Sequence, residues 1–269
     1  MPKRSAPNLS AIRAASPIVH CITNYVTAND CANLLLACGA RPVMADAPEE
    51  AAEITAGSQA LVLNLGTLSK ERFSAMLTAG KQANQLEIPV VFDPVGAGAS
   101  AFRSACAERL LREIRFAAIR GNPSEMQALA GGKKRFAGID AAPEDTENAP
   151  ALAQTLAERY QTVIMLTGET DTVTDGKTLI RIRSGHPVLR QITGAGCMLS
   201  ALTGAFLTAE RSAESCAAAA LAVGLAGQTA AEQTGENGGN ASCRNHLIDA
   251  VYRMTDAELE KGAHHAYLS

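Results

Sequence analysis

Short apolar runs of strand length recur along the first two thirds of this chain, and longer stretches of helical pattern separate them. The runs at 17–22, 41–45, 60–65, 89–92, 116–120 and 162–166 read as strands. Several are apolar on both faces, as strands covered by helices on each side must be. Between them, 27–38 and 69–86 read as helices, and Gly39 stands where a helix end needs a left-handed residue. Repeated strand–helix–strand units predict an α/β fold: a mostly parallel central sheet with helices on both faces. After residue 166 the pattern changes. Asp175-Gly176 joins 170–174 to 177–183 as a tight hairpin. Beyond it the chain reads as helical nearly throughout, over 195–208, 213–234 and 241–254, with a break at 235–240. The acidic stretch 138–150 reads as an exposed loop. No repeat and no linker divides the sequence, so residues 1–269 are expected to form a single domain.

Composition then narrows the partner. A net charge of −3 gives no electrostatic reason to expect nucleic acid or an anionic membrane. With no Trp and few aromatics, a base-stacking surface is not expected either. No apolar run approaches the roughly eighteen residues that a membrane span needs. A small molecule is the expected partner. The cysteines number seven, an odd count, and none form Cys-x-x-Cys, so neither a disulfide framework nor a zinc site is suggested. Free thiols suit a reducing compartment, and the cytoplasm is the expected location. Lys3, Arg4 and Arg13 precede the first acid, Asp30, as in a transit peptide. Pro2 and Pro7 interrupt the amphipathic helix such a peptide needs.

Three segments carry the chemistry. Ile192-Thr193-Gly194-Ala195-Gly196-Cys197 runs directly into a helix. Glycines allow close backbone approach, and first-turn amides are unpaired donors that can hold a phosphate; packing alone also accounts for such glycines. Val91-Phe92-Asp93-Pro94-Val95-Gly96-Ala97-Gly98 places an Asp at the carboxyl end of a buried strand, where open α/β sheets bind ligands. Its glycines loosely match a dinucleotide fingerprint. The intervening Asp-Pro and the mid-chain position argue against that reading. In Arg120-Gly121-Asn122-Pro123-Ser124-Glu125-Met126, Asn122 suits a helix cap and Pro123 the first turn. Glu125 reads either as a favourable charge at that helix start or as a carboxylate ordering magnesium water, with Arg120 at nucleotide phosphates.

In this order the three segments resemble the ribokinase-like superfamily of small-molecule kinases. Residues 20–30, His20-Cys21-Ile22-Thr23-Asn24 through Asp30, and 42–50, Pro42-Val43-Met44 through Glu50, are similar to hydroxyethylthiazole kinases of thiamine salvage. Asn64-Leu65-Gly66-Thr67 and Leu166-Thr167-Gly168 fit the same family, from about residue 17 to the last helices. The resemblance implies ATP-dependent phosphorylation of 4-methyl-5-(2-hydroxyethyl)thiazole. Met44 and the backbone at Gly194 would contact the thiazole, Arg120 and Thr167 would bind ATP, and Asp93 and Glu125 would organise Mg2+. It also implies a homotrimer with each site between neighbouring subunits. A Met such as Met44 at a strand end is more often a core residue than a ligand contact, and Thr167 also reads as the close of a turn.

Cys197 occupies the place where the wider superfamily carries an Asp as catalytic base, and Cys there is a feature of the thiazole kinases. A helix N-terminus lowers a thiol's pKa, which would supply some thiolate near neutrality. The alternative is a small buried cysteine. His20, inside an apolar strand, reads as a hydrogen-bonded structural residue, and Cys21, Cys31 and Cys38 read as core. Rival readings are another ribokinase-like small-alcohol kinase, an ATP-binding sensor without turnover, and a nicotinamide-dependent oxidoreductase.

Overall fold

The computed structural model describes residues 9–131 and 148–268. Its strands are β1 (Ile18–Ile22), β2 (Arg41–Val43), β3 (Ala60–Asn64), β4 (Val90–Asp93), β5 (Ala118–Gly121), β6 (Val163–Leu166), β7 (Asp171–Thr174), β8 (Leu179–Ile182) and β9 (Tyr267–Leu268). They form one sheet in the order β2-β1-β3-β4-β5-β6-β7-β8-β9. The first six strands run parallel, and β7, β8 and β9 add in antiparallel fashion. This is the mostly parallel α/β sheet that the strand–helix alternation predicts.

The helices are α1 (Leu9–Ala15), α2 (Ala28–Ala37), α3 (Ala51–Ala56), α4 (Lys70–Gln85), α5 (Ala101–Glu113), α6 (Pro123–Leu129), α7 (Ala149–Tyr160), α8 (Ala195–Ala209), α9 (Ala213–Thr234), α10 (Asn240–Arg253) and α11 (Asp256–Ala266). They divide into two layers. Buried residues of α1, α2, α8, α9, α10 and α11 share one core with Val19, Val62, Val91 and Ala118 of the sheet. Those of α3 to α7 share the other with Leu61, Leu63, Val90, Phe92 and Ile119. Side chains alternate along a strand, so the central strands are apolar on both faces because each face meets a helical layer.

Small residues set how closely the layers approach. On α8 a Cβ added at Gly204 would stand 2.9 Å from Val62 Cγ2, so glycine lets this helix lie directly on β3. Helix α9 follows it as an Ala-rich rod with Ala217–Ala220 buried. Gly39, at φ +92°, ends α2 as its sequence position predicts. Arg13 donates to the carbonyls of Val251, Tyr252 and Met254, and so satisfies the last turn of α10 from the far end of the chain.

Local differences from the sequence reading have physical causes. The hairpin between β7 and β8 is present, but Thr174 pairs with Leu179, so the loop is four residues long rather than two. Asp175 closes it by accepting from the amides of Lys177 and Thr178. Strand β2 stops at Val43, two residues early, and leaves Met44 and Ala45 beyond the pairing. The acidic stretch 138–150 lies outside the described residues up to 147, and Pro150 falls in the first turn of α7. No helix among the described residues is long and apolar enough to cross a membrane.

Candidate active site

The six parallel strands end on one edge of the sheet, and strand parity decides what gathers there. Asn64 shares a face with Val62, Asp93 with Val91, and Arg120 with Ala118; all three apolar residues belong to the core beneath α8. These three polar side chains, at or next to the ends of their strands, therefore turn toward α8. Register places Asn64 directly beside Asp93.

Asp93 is completely buried. Its Oδ2 accepts from Asn64 Nδ2 at 2.8 Å and from Ser200 Oγ of α8 at 2.7 Å. Its Oδ1 has no hydrogen-bond partner, and the nearest cation, Arg120 Nη1, stands 3.9 Å away. Burial pushes the Asp93 carboxyl up to about 7, with Glu125 adding to the rise and Arg120, Ser200 and Asn64 opposing it.

Arg120 and Thr167, the two residues assigned to the nucleotide by resemblance, are joined. Arg120 Nη2 donates to Thr167 Oγ1 at 2.7 Å, and Thr167 Oγ1 reaches Gly121 O at 3.3 Å. The guanidinium lies against the α-carbon of Gly196, where any Cβ would overlap it. Its Nε is buried and unpartnered. Gly194 caps α8 at φ +85°, and a Cβ there would overlap the Thr27 side chain, so both space and backbone demand glycine.

Glu125 is buried in a capping box at the start of α6. Asn122 accepts from the Glu125 amide, and Glu125 Oε2 accepts from the Asn122 amide at 2.9 Å. Its Oε1 takes the Gly96 amide at 2.9 Å, so this carboxylate also pins the β4–α5 loop.

Cys197 departs from the expectation of a lowered pKa. The thiol is pushed up, first by burial and then by the Asp93 carboxylate, while Thr27, Arg120 and Asn64 pull it down. Desolvation outweighs the groups that pull it down.

Met44 is not joined to this cluster by any described hydrogen bond; it packs half-buried against the core under α8. Its neighbours carry the connection. His20 Nε2 donates to Ala45 O at 2.7 Å while Nδ1 meets Thr55 Oγ1 at 2.9 Å, the structural role expected of this histidine. Arg72 pairs with Asp46 at 2.7 Å and donates to Thr67, whose hydroxyl accepts the Tyr25 amide. Asn24, Ser200 and Arg72 went without a role in the sequence reading. Asn24 and Asn64 stood there only as members of the motifs at 20–30 and 64–67, Asn64 as the last residue of β3.

A buried acid, an arginine and the glycine-led start of α8 thus meet at the carboxyl edge of a mostly parallel sheet, on a fold found among the ribokinase-like proteins. The fold is shared with a ribokinase-like superfamily protein of Enterococcus faecalis V583, at TM-score 0.62 and 13% identity over 93% of this chain and 90% of that one. The model of the hydroxyethylthiazole kinase family matches residues 9–257, and the chain belongs to that family. A hydroxyethylthiazole kinase of Methanosphaerula palustris is 46% identical over 259 residues, covering 96% of each chain. The structure of a hydroxyethylthiazole kinase protein from Pyrococcus horikoshii OT3 superposes at TM-score 0.85 with 35% identity, covering 97% of each.

The buried acid has a consequence for stability. The Asp93 carboxyl is held up to about 7 in the fold, against 3.8 for the free group. Between those values the folded chain holds the extra proton, so stability falls as pH rises; the full penalty applies above about 7 and vanishes below about 4. Asp93→Asn should therefore raise the melting temperature at pH 8 relative to wild type, with the gap closing toward pH 4. Calorimetry across that range checks it, and a gap that widens toward acid would contradict it.

Proposed function

We propose that this chain, as one ribokinase-like domain over residues 1–269, transfers the γ-phosphoryl of ATP to the hydroxyl of 4-methyl-5-(2-hydroxyethyl)thiazole. The single observation that carries the site assignment is the buried, half-satisfied Asp93 facing Arg120 and the start of α8. Arg120 and Thr167 would bind the nucleotide, Gly194 and Met44 the thiazole.

The donor set suits magnesium. Asp93 offers an oxygen without a partner, and Glu125 is a buried carboxylate near enough to raise the Asp93 pKa. Magnesium characteristically takes one or two carboxylates and completes its shell with water and substrate phosphates. When bound it supplies charge neutralisation at the transferred phosphoryl. The chain's own residues do the rest. Arg120, already desolvated, gives fixed positive charge at the phosphates. The first amides of α8 face developing negative charge. As the alcohol oxygen bonds to phosphorus and the bond to ADP breaks, the alcohol proton passes late to the Cys197 sulfur, through its thiolate fraction. Phosphoryl transfer works mainly by positioning and charge stabilisation, so a weak acceptor suffices.

The trimer and the cytoplasmic location belong to the same proposal. Tyr25 and Val26 stand 74% and 56% exposed immediately after Asn24, an apolar rim at the site that a neighbouring subunit would cover. Sedimentation should give a trimer, and a fully active monomer would remove the shared-site arrangement.

ADP release should require both magnesium and the thiazole alcohol; equal ATPase activity without any alcohol would favour a sensor or an unrelated hydrolase. In the same assay Cys197→Ala should slow turnover yet leave it measurable. Base catalysis is typically worth about 10²–10⁴-fold, and a thiol held largely protonated belongs at the low end or below. Cys197→Asp should keep or raise kcat, with any repulsion of the phosphates appearing in KM for ATP. If Ala matches wild type and Asp is inactive, Cys197 is a packing residue.

A further inference from the structure

Asn24 and Asn64 are buried at 4% and 1% exposure, and no step above uses them. Backbone donors fix which end of each amide is oxygen. The Thr27 amide donates to Asn24 Oδ1 at 3.1 Å, and the Gly66 amide donates to Asn64 Oδ1 at 2.8 Å. An N–H cannot face an NH2, so the opposite end of each side chain is nitrogen. Those two nitrogens converge on one atom: Asn24 Nδ2 lies 3.3 Å and Asn64 Nδ2 3.2 Å from Cys197 Sγ. The second hydrogens are also placed. Asn24 donates its other N–H to Asn64 Oδ1 at 3.1 Å, and Asn64 donates its other to Asp93 Oδ2 at 2.8 Å. Every N–H of the pair has an acceptor. The fit is tight, since a Cβ on Gly66 would stand 2.7 Å from Asn24 Cβ and 2.9 Å from Asn64 Oδ1.

We infer that Asn24 and Asn64 are positioning residues for phosphoryl transfer, which hold the Cys197 sulfur as the acceptor of two N–H groups and lock it to the Asp93 carboxylate through a single shared amide. Two donors on sulfur favour its anion over its thiol, in opposition to the burial around it. The thiolate available for the alcohol proton therefore depends on this pair. The sharing also makes the sulfur and the carboxylate one unit. Asn64 cannot turn to serve one without releasing the other, and Asn24 latches Asn64 in place. An amide pair that merely filled buried space would not need its nitrogens on sulfur.

The two roles differ in the sign of one measurement. Cys197 is half-buried while Cys21, Cys31, Cys38, Cys106, Cys216 and Cys243 are buried, so iodoacetamide should label Cys197 selectively in the folded protein. Asn64→Ser and Asn24→Ser keep an oxygen that can accept from the backbone amide, remove the N–H donors on sulfur and add no charge. At pH 8 each should alkylate Cys197 more slowly than wild type, by about tenfold, the worth of a hydrogen bond to a charged group. A site that is only loosened would alkylate faster. Asn24→Thr, which also offers the Thr27 amide a hydroxyl oxygen, gives the same reading if the serine variants fail to fold. Peptide mass spectrometry follows the rate. In steady state kcat should fall with little change in KM for the alcohol, and the Asn24 effect on kcat should shrink in a Cys197→Ala background. Alkylation at or above the wild-type rate in a folded variant overturns the inference. The kcat arm rests on the proposed kinase reading and the alkylation arm does not: wild type lacking alcohol-dependent ADP release would refute that reading alone.

Discussion

A carboxylate with no access to water and one oxygen without a partner is the constraint around which this molecule is arranged. Burying a charge without compensation is among the most costly things a fold can do. Here Asp93 terminates a central strand, so the sheet itself delivers it to the interior edge. What surrounds it compensates only in part. Asn64 and Ser200 both bind the same oxygen, Oδ2, while Arg120 stays at 3.9 Å from the other. A structure built for stability alone would satisfy Oδ1 or replace the acid. The incomplete arrangement fits a carboxylate whose remaining partner arrives with the substrate, with the destabilisation offset by the two apolar cores.

The rest of the site follows from keeping that acid in place. Helix α8 must lie close enough for Ser200 to reach Asp93, and Gly204 permits this by resting on Val62. The same helix then begins at Gly194 and Gly196, one against Thr27 and the other against the Arg120 guanidinium. Its first turn brings Cys197 to the amides of Asn24 and Asn64. Fold and chemistry meet in one helix, since its buried face packs on the sheet while its amino end meets Thr27, Arg120 and the two asparagines.

Much of this was legible in the sequence, because period and parity are local properties. The alternation of strand and helix predicted the parallel sheet. In Val91-Phe92-Asp93 the acid follows two apolar residues in a strand, which places it at a buried carboxyl end before any coordinates are known. Asn122, Pro123 and Glu125 likewise spell out a helix start, and the capping box is there. What sequence could not supply depends on distant residues meeting. The convergence of Asn24 and Asn64 on Cys197 joins residues far apart in the chain. The Cys197 thiol is pushed up rather than down because burial, which no local pattern reveals, outweighs the neighbours that favour its anion. The length of the β7–β8 loop turned on Asp175 binding two amides, a choice that Asp-Gly leaves open.

Asp93, short of a partner on Oδ1, is the proposed meeting point of the chain and a magnesium-bound nucleotide. The most direct test is the melting temperature with a non-hydrolysable ATP analogue, with magnesium and with chelator, for wild type and Asp93→Asn. A ligand stabilises the folded state according to its affinity for it. The account predicts that magnesium adds clearly to the shift produced by the analogue in wild type and adds little in Asp93→Asn, while the analogue alone, held through Arg120 and Thr167, stabilises both. An equal magnesium-dependent gain in the two proteins would contradict it.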